Sequence, residues 1–278
     1  MFQELSENTN PTAARVSAGF NPVDYQSGNH AIKSQEDDAK LVARGILPHA
    51  SVTEVDRAAF VEPSDTTESR RRHRLVIGAG AQISKIDQGW VVASREAVVH
   101  AGGYAEVAAY SEAKVIASQH AFVEAHGARV SATDQVRVDA RSGSIVCADG
   151  ESRIRAYEGS NVTAGGDAKV IAWSGSRVRV VGNASAIAMP DSLVHAEQGA
   201  RVSALLRSTV TATQGSKIEA AEGSLVRAMP GSFVNAADGS LVLALPGASV
   251  NASKGAIVRS LSRMPQSEAE WVNSTRQQ

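Results

Sequence analysis

The stretch Gly223–Ser262 repeats with a period of eight: GSLVRAMP, GSFVNAAD, GSLVLALP, GASVNASK, GAIVRSLS. A fixed period constrains a fold more than any other feature, because each repeat must become the same unit and stack on its neighbours. The octad is Gly-Ser/Ala-x-Val-x-Ala/Ser-x-x. It runs backwards in register to Gly80, giving roughly 23 octads, with one residue missing in His120–His126. Position four is Val or Ile in every octad except that of Ala186. Position six is Ala except at Lys85, Val180 and Ser260.

Positions two, four and six are small or apolar, and three and five are variable and often charged. This alternation is that of a short strand with one buried face. Gly, Asp or Asn at position one supplies the turn. Large residues recur at position seven every second octad: Tyr157, Trp173, Met189, Leu205, then Met229, Leu245, Leu261. The spacing of 16 predicts an all-β fold, a β-solenoid with two octads per coil and two facing sheets. A three-sided coil is the alternative. Small Val and Ala side chains suit the thin core. Inward Ser at position two is expected to form hydrogen-bonded ladders at the strand starts. Roughly 11 coils at ~4.8 Å per strand make a rod on the order of 50–55 Å long.

The sequence divides into three parts. Residues 1–74 form a polar N-terminal segment, residues 75–262 the solenoid, and residues 263–278 a C-terminal tail or cap. Residues 1–33 are rich in Asn, Ser, Thr and Gln, a composition of disordered chain. Ser34 with Asp37, and Ser51 with Glu54, predict two short helices, the second carrying Val55, Ala58, Ala59 and Phe60. A basic linker ends in Arg70-Arg71-Arg72-His73-Arg74, and Leu75-Val76-Ile77 leads into the solenoid. Ser267 with Glu270 predicts a last helix, with Trp271 and Val272, covering the final open coil.

Composition narrows the function classes. The net charge of −1 provides no global field toward nucleic acid or membrane. The single cysteine, Cys147, excludes an intramolecular disulfide and suits a reducing compartment. The first ten residues contain no basic-then-apolar signal region, and no apolar run is long enough to span a bilayer. The expected location is cytoplasmic, or exported without a recognisable signal peptide.

The octads carry little that resembles catalysis. Inward positions hold nothing titratable except Lys85, and no insertion between octads builds a cleft to tune an acid or base. Asp134 with Asp139 reads as a solvated acid pair. His120 and His126 lack a third ligand for zinc. The expectation is a non-enzyme with no catalytic residue, metal or cofactor.

Two outward columns stand out instead. With 16-residue coils, position three on one face reads Arg137, Arg153, Lys169, Ser185, Arg201, Lys217, with Arg155 beside them. Stacked like charges repel, so the column suits a linear anion such as an acidic glycan, a nucleic-acid backbone or an acidic protein edge; the alternative is a solvated face that keeps the rod soluble and discourages lateral sheet association. On the opposite face the column is Leu193, Thr209, Leu225, Leu241, Ile257, with Leu243 adjacent. An exposed apolar column suggests a contact with a protein partner, a second copy or the chain's own tail.

The Gly-Ser-x-Val-x-Ala unit of residues 80–262 resembles the octads of bacterial ice-nucleation proteins, whose 16-residue coils read roughly Ala-Gly-Tyr-Gly-Ser-Thr-x-Thr. The resemblance implies a solenoid. The Thr-x-Thr of that family stands here only at Thr209-Val210-Thr211, with Asn161-Val162-Thr163 a near match, and its Tyr is absent. The octads are also similar to those of phage-associated and secreted bacterial proteins, which implies a bacterial or phage origin. The expected function is a structural or interaction rod, a binding platform or assembly element. The alternatives are a secreted host-directed protein, an ice-binding protein and a polysaccharide-acting β-helix enzyme.

Overall fold

The computed structural model describes residues 58–61, 74–77, 82–87, 90–265 and 267–276. It is an all-β parallel β-solenoid followed by one helix, Glu268–Arg276. The predicted helix after Ser34 and the basic run Arg70–His73 lie outside the described residues. The chain divides into two compact units, Met1–Val146 and Cys147–Gln278, built on one plan.

In the second unit successive strands alternate between two sheets. One sheet runs from Arg153–Ala156 through Lys169–Ala172, Ser185–Ala188, Arg201–Ala204, Lys217–Ala220 and Phe233–Ala236 to Ser249–Ala252. The other runs from Asn161–Ala164 through Arg177–Val181, Leu193–Glu197, Thr209–Ala212, Leu225–Ala228 and Leu241–Ala244 to Ile257–Ser260. Neighbours within a sheet are parallel and offset by 16 residues, as two octads per coil requires. Val178, Val194, Val210, Val226, Val242 and Val258 are successive register partners. From Val194 to Val242 every member of this column is fully buried. Each buried valine stabilises the coil by about 1.5–3 kcal/mol, and its β-branch suits the pleated strand.

The first unit repeats the plan, with two local departures. The missing residue of His120–His126 shortens one corner: Phe122 is paired with Glu106 sixteen residues back, but with Arg137 only fifteen ahead. The second departure concerns Lys85, which is not inward. The register between Gln82–Ile86 and Val98–Ala101 shifts after Ile83, so that Ile86 takes the place opposite Ala101. Ile86 is buried, while Lys85 is pushed out to solvent and meets Asp87 at 3.0 Å. The extra residue is a bulge, and it keeps an ammonium out of the core.

Two further expectations are corrected. Ala58–Val61 is a strand and not part of a helix; it pairs antiparallel with Arg74–Ile77. For these four residues pairing with a sheet edge overrides the helix signal, while Ser51 and Glu54 lie outside the described residues. The inward serines do not form ladders between coils. The hydroxyl of Ser176 donates to the Trp173 carbonyl three residues back at 2.6 Å, and its own N–H donates to the same oxygen. Ser160, Ser192, Ser208 and Ser240 each close their corner in the same way. Ser144 is an exception, reaching the Ala125 carbonyl in the preceding coil.

Corners stack through left-handed residues. Gly175, Asp191, Arg207 and Gly223 have φ between 59° and 71°. That conformation turns each N–H toward the carbonyl of the following coil, as from Arg207 to Gly223 at 2.9 Å. The backbone ladder therefore continues around the corner.

Candidate functional site

The first sheet of the second unit places the basic residues together. Arg153, Lys169, Ser185, Arg201 and Lys217 are successive register partners, followed by Phe233. Each occupies an outward strand position, because buried Val, Ile or Ala alternates with it. The four cations are exposed, and successive strands lie ~4.8 Å apart. Among the described residues, none of these four side chains forms an ion pair. Arg155 is exposed on the same strand as Arg153, in the neighbouring column. Arg137 lies in the first unit, exposed at the start of Arg137–Ala140 and in register with Phe122.

The neighbouring column was not legible as a unit. It runs Arg155, Ile171, Ile187, Ser203, Glu219, Asn235, Asn251. Its last three members link by side chain. Asn251 Nδ2 donates to Asn235 Oδ1 at 3.4 Å, and Asn235 Nδ2 donates to Glu219 Oε1 at 2.8 Å. This ladder borders a shallow groove floored by Ala204, Ala220 and Ala236. The available signal was the Val-Asn-Ala shared by two octads sixteen residues apart. The amide ladder spends the Glu219 carboxylate on Asn235, so Glu219 does not neutralise Lys217 by a direct contact.

The apolar column of the opposite sheet is divided. Leu193 and Ile257 are 43% and 45% exposed, while Leu225 and Leu241 are half-buried. Leu243, expected to be part of an exposed surface, is fully buried although its strand position is outward. It packs with Leu245, Leu225, Met229, Leu241 and Leu261. Arg259, the register partner of Leu243, donates from Nη1 to the Ser274 carbonyl at 2.7 Å. The C-terminal helix thus lies on this sheet's outer face. Ser267 caps it, accepting from the Glu270 N–H at 3.2 Å. It does not cover the final coil, where Val258 is 40% exposed.

On this second sheet one group of charges is paired, while Arg177 on the same strand is exposed and forms no ion pair among the described residues. Arg179 donates to Glu197 through Nε at 3.0 Å and Nη2 at 2.7 Å, and His195 Nε2 lies 3.0 Å from the same carboxylate. The Arg179 hydrogen bonds hold the Glu197 carboxyl below the usual carboxylate range against the opposing effect of burial; the charges of Arg179 and His195 act in the same downward direction. Tyr157 stacks on Trp173 in the next coil, ring centroids 6.2 Å apart. In the first unit His120 stacks on Tyr104 and His126 on Tyr110. His126 also contacts Glu124 at 3.1 Å. Among the described residues no group of three His, Cys, Asp or Glu is placed to hold a metal ion. No helix among them is long and apolar enough to cross a membrane.

No family model matches the chain, and no curated protein matches it. Among solved structures it is similar to a crystal structure of a TibC-catalysed hyper-glycosylated TibA fragment. The identity is 15%, the match covers 67% of this chain and 87% of that chain, and the TM-score is 0.36.

Proposed function

We propose that this chain is a non-enzymatic binding scaffold whose basic column takes an extended polyanion, an acidic glycan or a nucleic-acid backbone. One observation carries the reading: Arg153, Lys169, Arg201 and Lys217 share one register position, are exposed and are unpaired among the described residues. The pairing of Arg179 with Glu197 on the other sheet is the contrast. Like charges in neighbouring strands repel, and a ligand with anions at a similar rise relieves that repulsion. Neutralising several cations with one ligand releases counterions, so affinity falls steeply with salt.

The test is a titration of the full chain with a heparin-like glycan and with single-stranded DNA at low and moderate salt. The comparison is a variant with Arg153, Lys169, Arg201 and Lys217 all changed to Ser. Wild type is expected to bind and the variant to lose binding while keeping its strand content. Arg153→Ser alone weakens binding slightly, because an exposed charge contact contributes ~0–1 kcal/mol. Equal binding by wild type and variant, or none by wild type, removes the reading.

A protein contact on the second sheet is the other reading, supported by the exposure of Leu193 and Ile257. Ice binding has less support. Thr209 and Thr211 stand in register between Leu193 with His195 and Leu225 with Arg227, so the Thr pair does not extend into a surface.

A further inference from the structure

The final coil of the second unit ends both sheets with its interior open. Ser249–Ala252 and Ile257–Ser260 are the edge strands. Their inward side chains are those that earlier coils bury. Val242 is fully buried, and its register partner Val258 is 40% exposed. Ala236 is 4% exposed, whereas its partner Ala252 is exposed. Val250 is half-buried and Ser260 is exposed. Two parallel edges about 10 Å apart, with unpaired backbone groups and Val and Ala between them, form a template for a further coil.

The helix Glu268–Arg276 is not the occupant, because the contact of Arg259 with Ser274 holds it on the outer face. We propose that the terminal coil is an interface and that its occupant is the same coil of a second copy, edge to edge about a two-fold axis. The inter-coil packing of this chain states what fits. The partner must present small inward residues between two strands at the same separation, and a coil of this chain does so. The sheet edge at Arg74–Ile77 does not offer that continuation, since it carries the antiparallel strand Ala58–Val61. Pairing like edge with like edge closes the assembly at two copies, because each copy spends its free edge. A coil end about 10 Å thick and one octad wide presents on the order of 250 Å² of flat face. That is well below the ~800 Å² per partner of a stable interface, so the association is reversible and depends on concentration. This inference is independent of polyanion binding.

Sedimentation velocity of the full chain over a wide concentration range is the first test. The mass should rise with concentration and stop at twice the monomer. Val258→Lys places a cation at the joint and should hold the chain at the monomer mass, with strand content by circular dichroism unchanged. A cross-linking test does not depend on that variant folding. In a chain with Cys147→Ser, Ser260→Cys should be joined to its copy by a bis-maleimide spanning about 15 Å, since a two-fold axis sets the two positions roughly 10 Å apart, beyond disulfide reach, while wild type with its exposed Cys147 should give little. Three results would overturn the proposal: a monomer at every concentration, growth past two copies, or a dimer that Val258→Lys leaves intact and Ser260→Cys fails to trap. A monomer in which Ser260→Cys is also protected from thiol reagents assigns the edge to another segment of this chain.

Discussion

Leu243 and Arg259 are register partners on neighbouring strands, and both occupy outward strand positions. Leu243 is fully buried and Arg259 hydrogen-bonds the Ser274 carbonyl. An outward apolar patch around Leu243 thus lies next to the residue that holds the chain's own tail. Truncating a buried Leu to Ala costs about 2–5 kcal/mol when the site cannot collapse. Here the helix can detach, so Leu243→Ala should act locally. Amide exchange across Glu268–Arg276 should rise sharply while the inner strands stay protected. Leu193→Ala, at a 43% exposed position, should leave exchange of the helix unchanged.

The alternation of buried and exposed positions predicts opposite outcomes for two carboxylate substitutions. Val226→Asp puts a charge in a fully buried column without a partner. It should unfold neighbouring coils and lower the melting temperature by many degrees. Ile187→Asp stands at an outward position that is 42% exposed and should shift melting little. Equal melting of the two variants would contradict the register.

Arg207 occupies a corner where its column neighbour Gly223 also has positive φ. A left-handed conformation costs a non-glycine residue about 1–2 kcal/mol, and glycine avoids that cost but loses more freedom on folding. The contact of Arg207 with Asp191, 2.9 Å between exposed side chains, offsets little of the strain. Arg207→Gly should therefore raise the melting temperature slightly. Gly223→Ala should lower it, since its Cβ would also crowd Leu206. Both changes are read by calorimetry on otherwise wild-type chain.

The solenoid was legible because inward and outward positions repeat without insertion, and a two-octad period puts Tyr157 beside Trp173. What the repeat could not show were its local exceptions. Lys85 falls on an inward position by count, but a bulge moves it outward. Ala58, Ala59 and Phe60, expected in a helix, form a strand instead through pairing between Ala58–Val61 and Arg74–Ile77, a contact between segments that local sequence does not encode. The columns of the basic sheet followed directly from the period. Burial of Leu243 did not, because it depends on the particular large side chains of Leu225, Met229, Leu241, Leu245 and Leu261 around it and not on the octad. The serine hydroxyls were assigned to ladders because a buried donor needs a partner. The nearest carbonyl proved to be three residues back within the corner.

Acid should weaken this fold partly through Glu197. Its carboxyl is held below the usual range, first by the Arg179 hydrogen bonds, with burial opposing and the Arg179 and His195 charges assisting. A carboxylate whose folded pKa lies below its unfolded value of about 4.3 contributes stability that is fully present above that unfolded value. The contribution fades as pH falls from that value through the folded pKa, because the unfolded chain takes up the proton first and protonation therefore favours unfolding. Glu197→Gln removes the ionisation and leaves Arg179 without its anionic partner. The melting temperature of wild type should exceed that of Glu197→Gln at pH 6 to 7, and the gap should narrow as pH drops below about 4. High salt should shrink the gap at pH 7 only partly, since Glu197 is half-buried and screened less than an exposed pair. A gap that stays constant from pH 7 to pH 3 would mean that the Arg179 contact contributes through packing and not through charge.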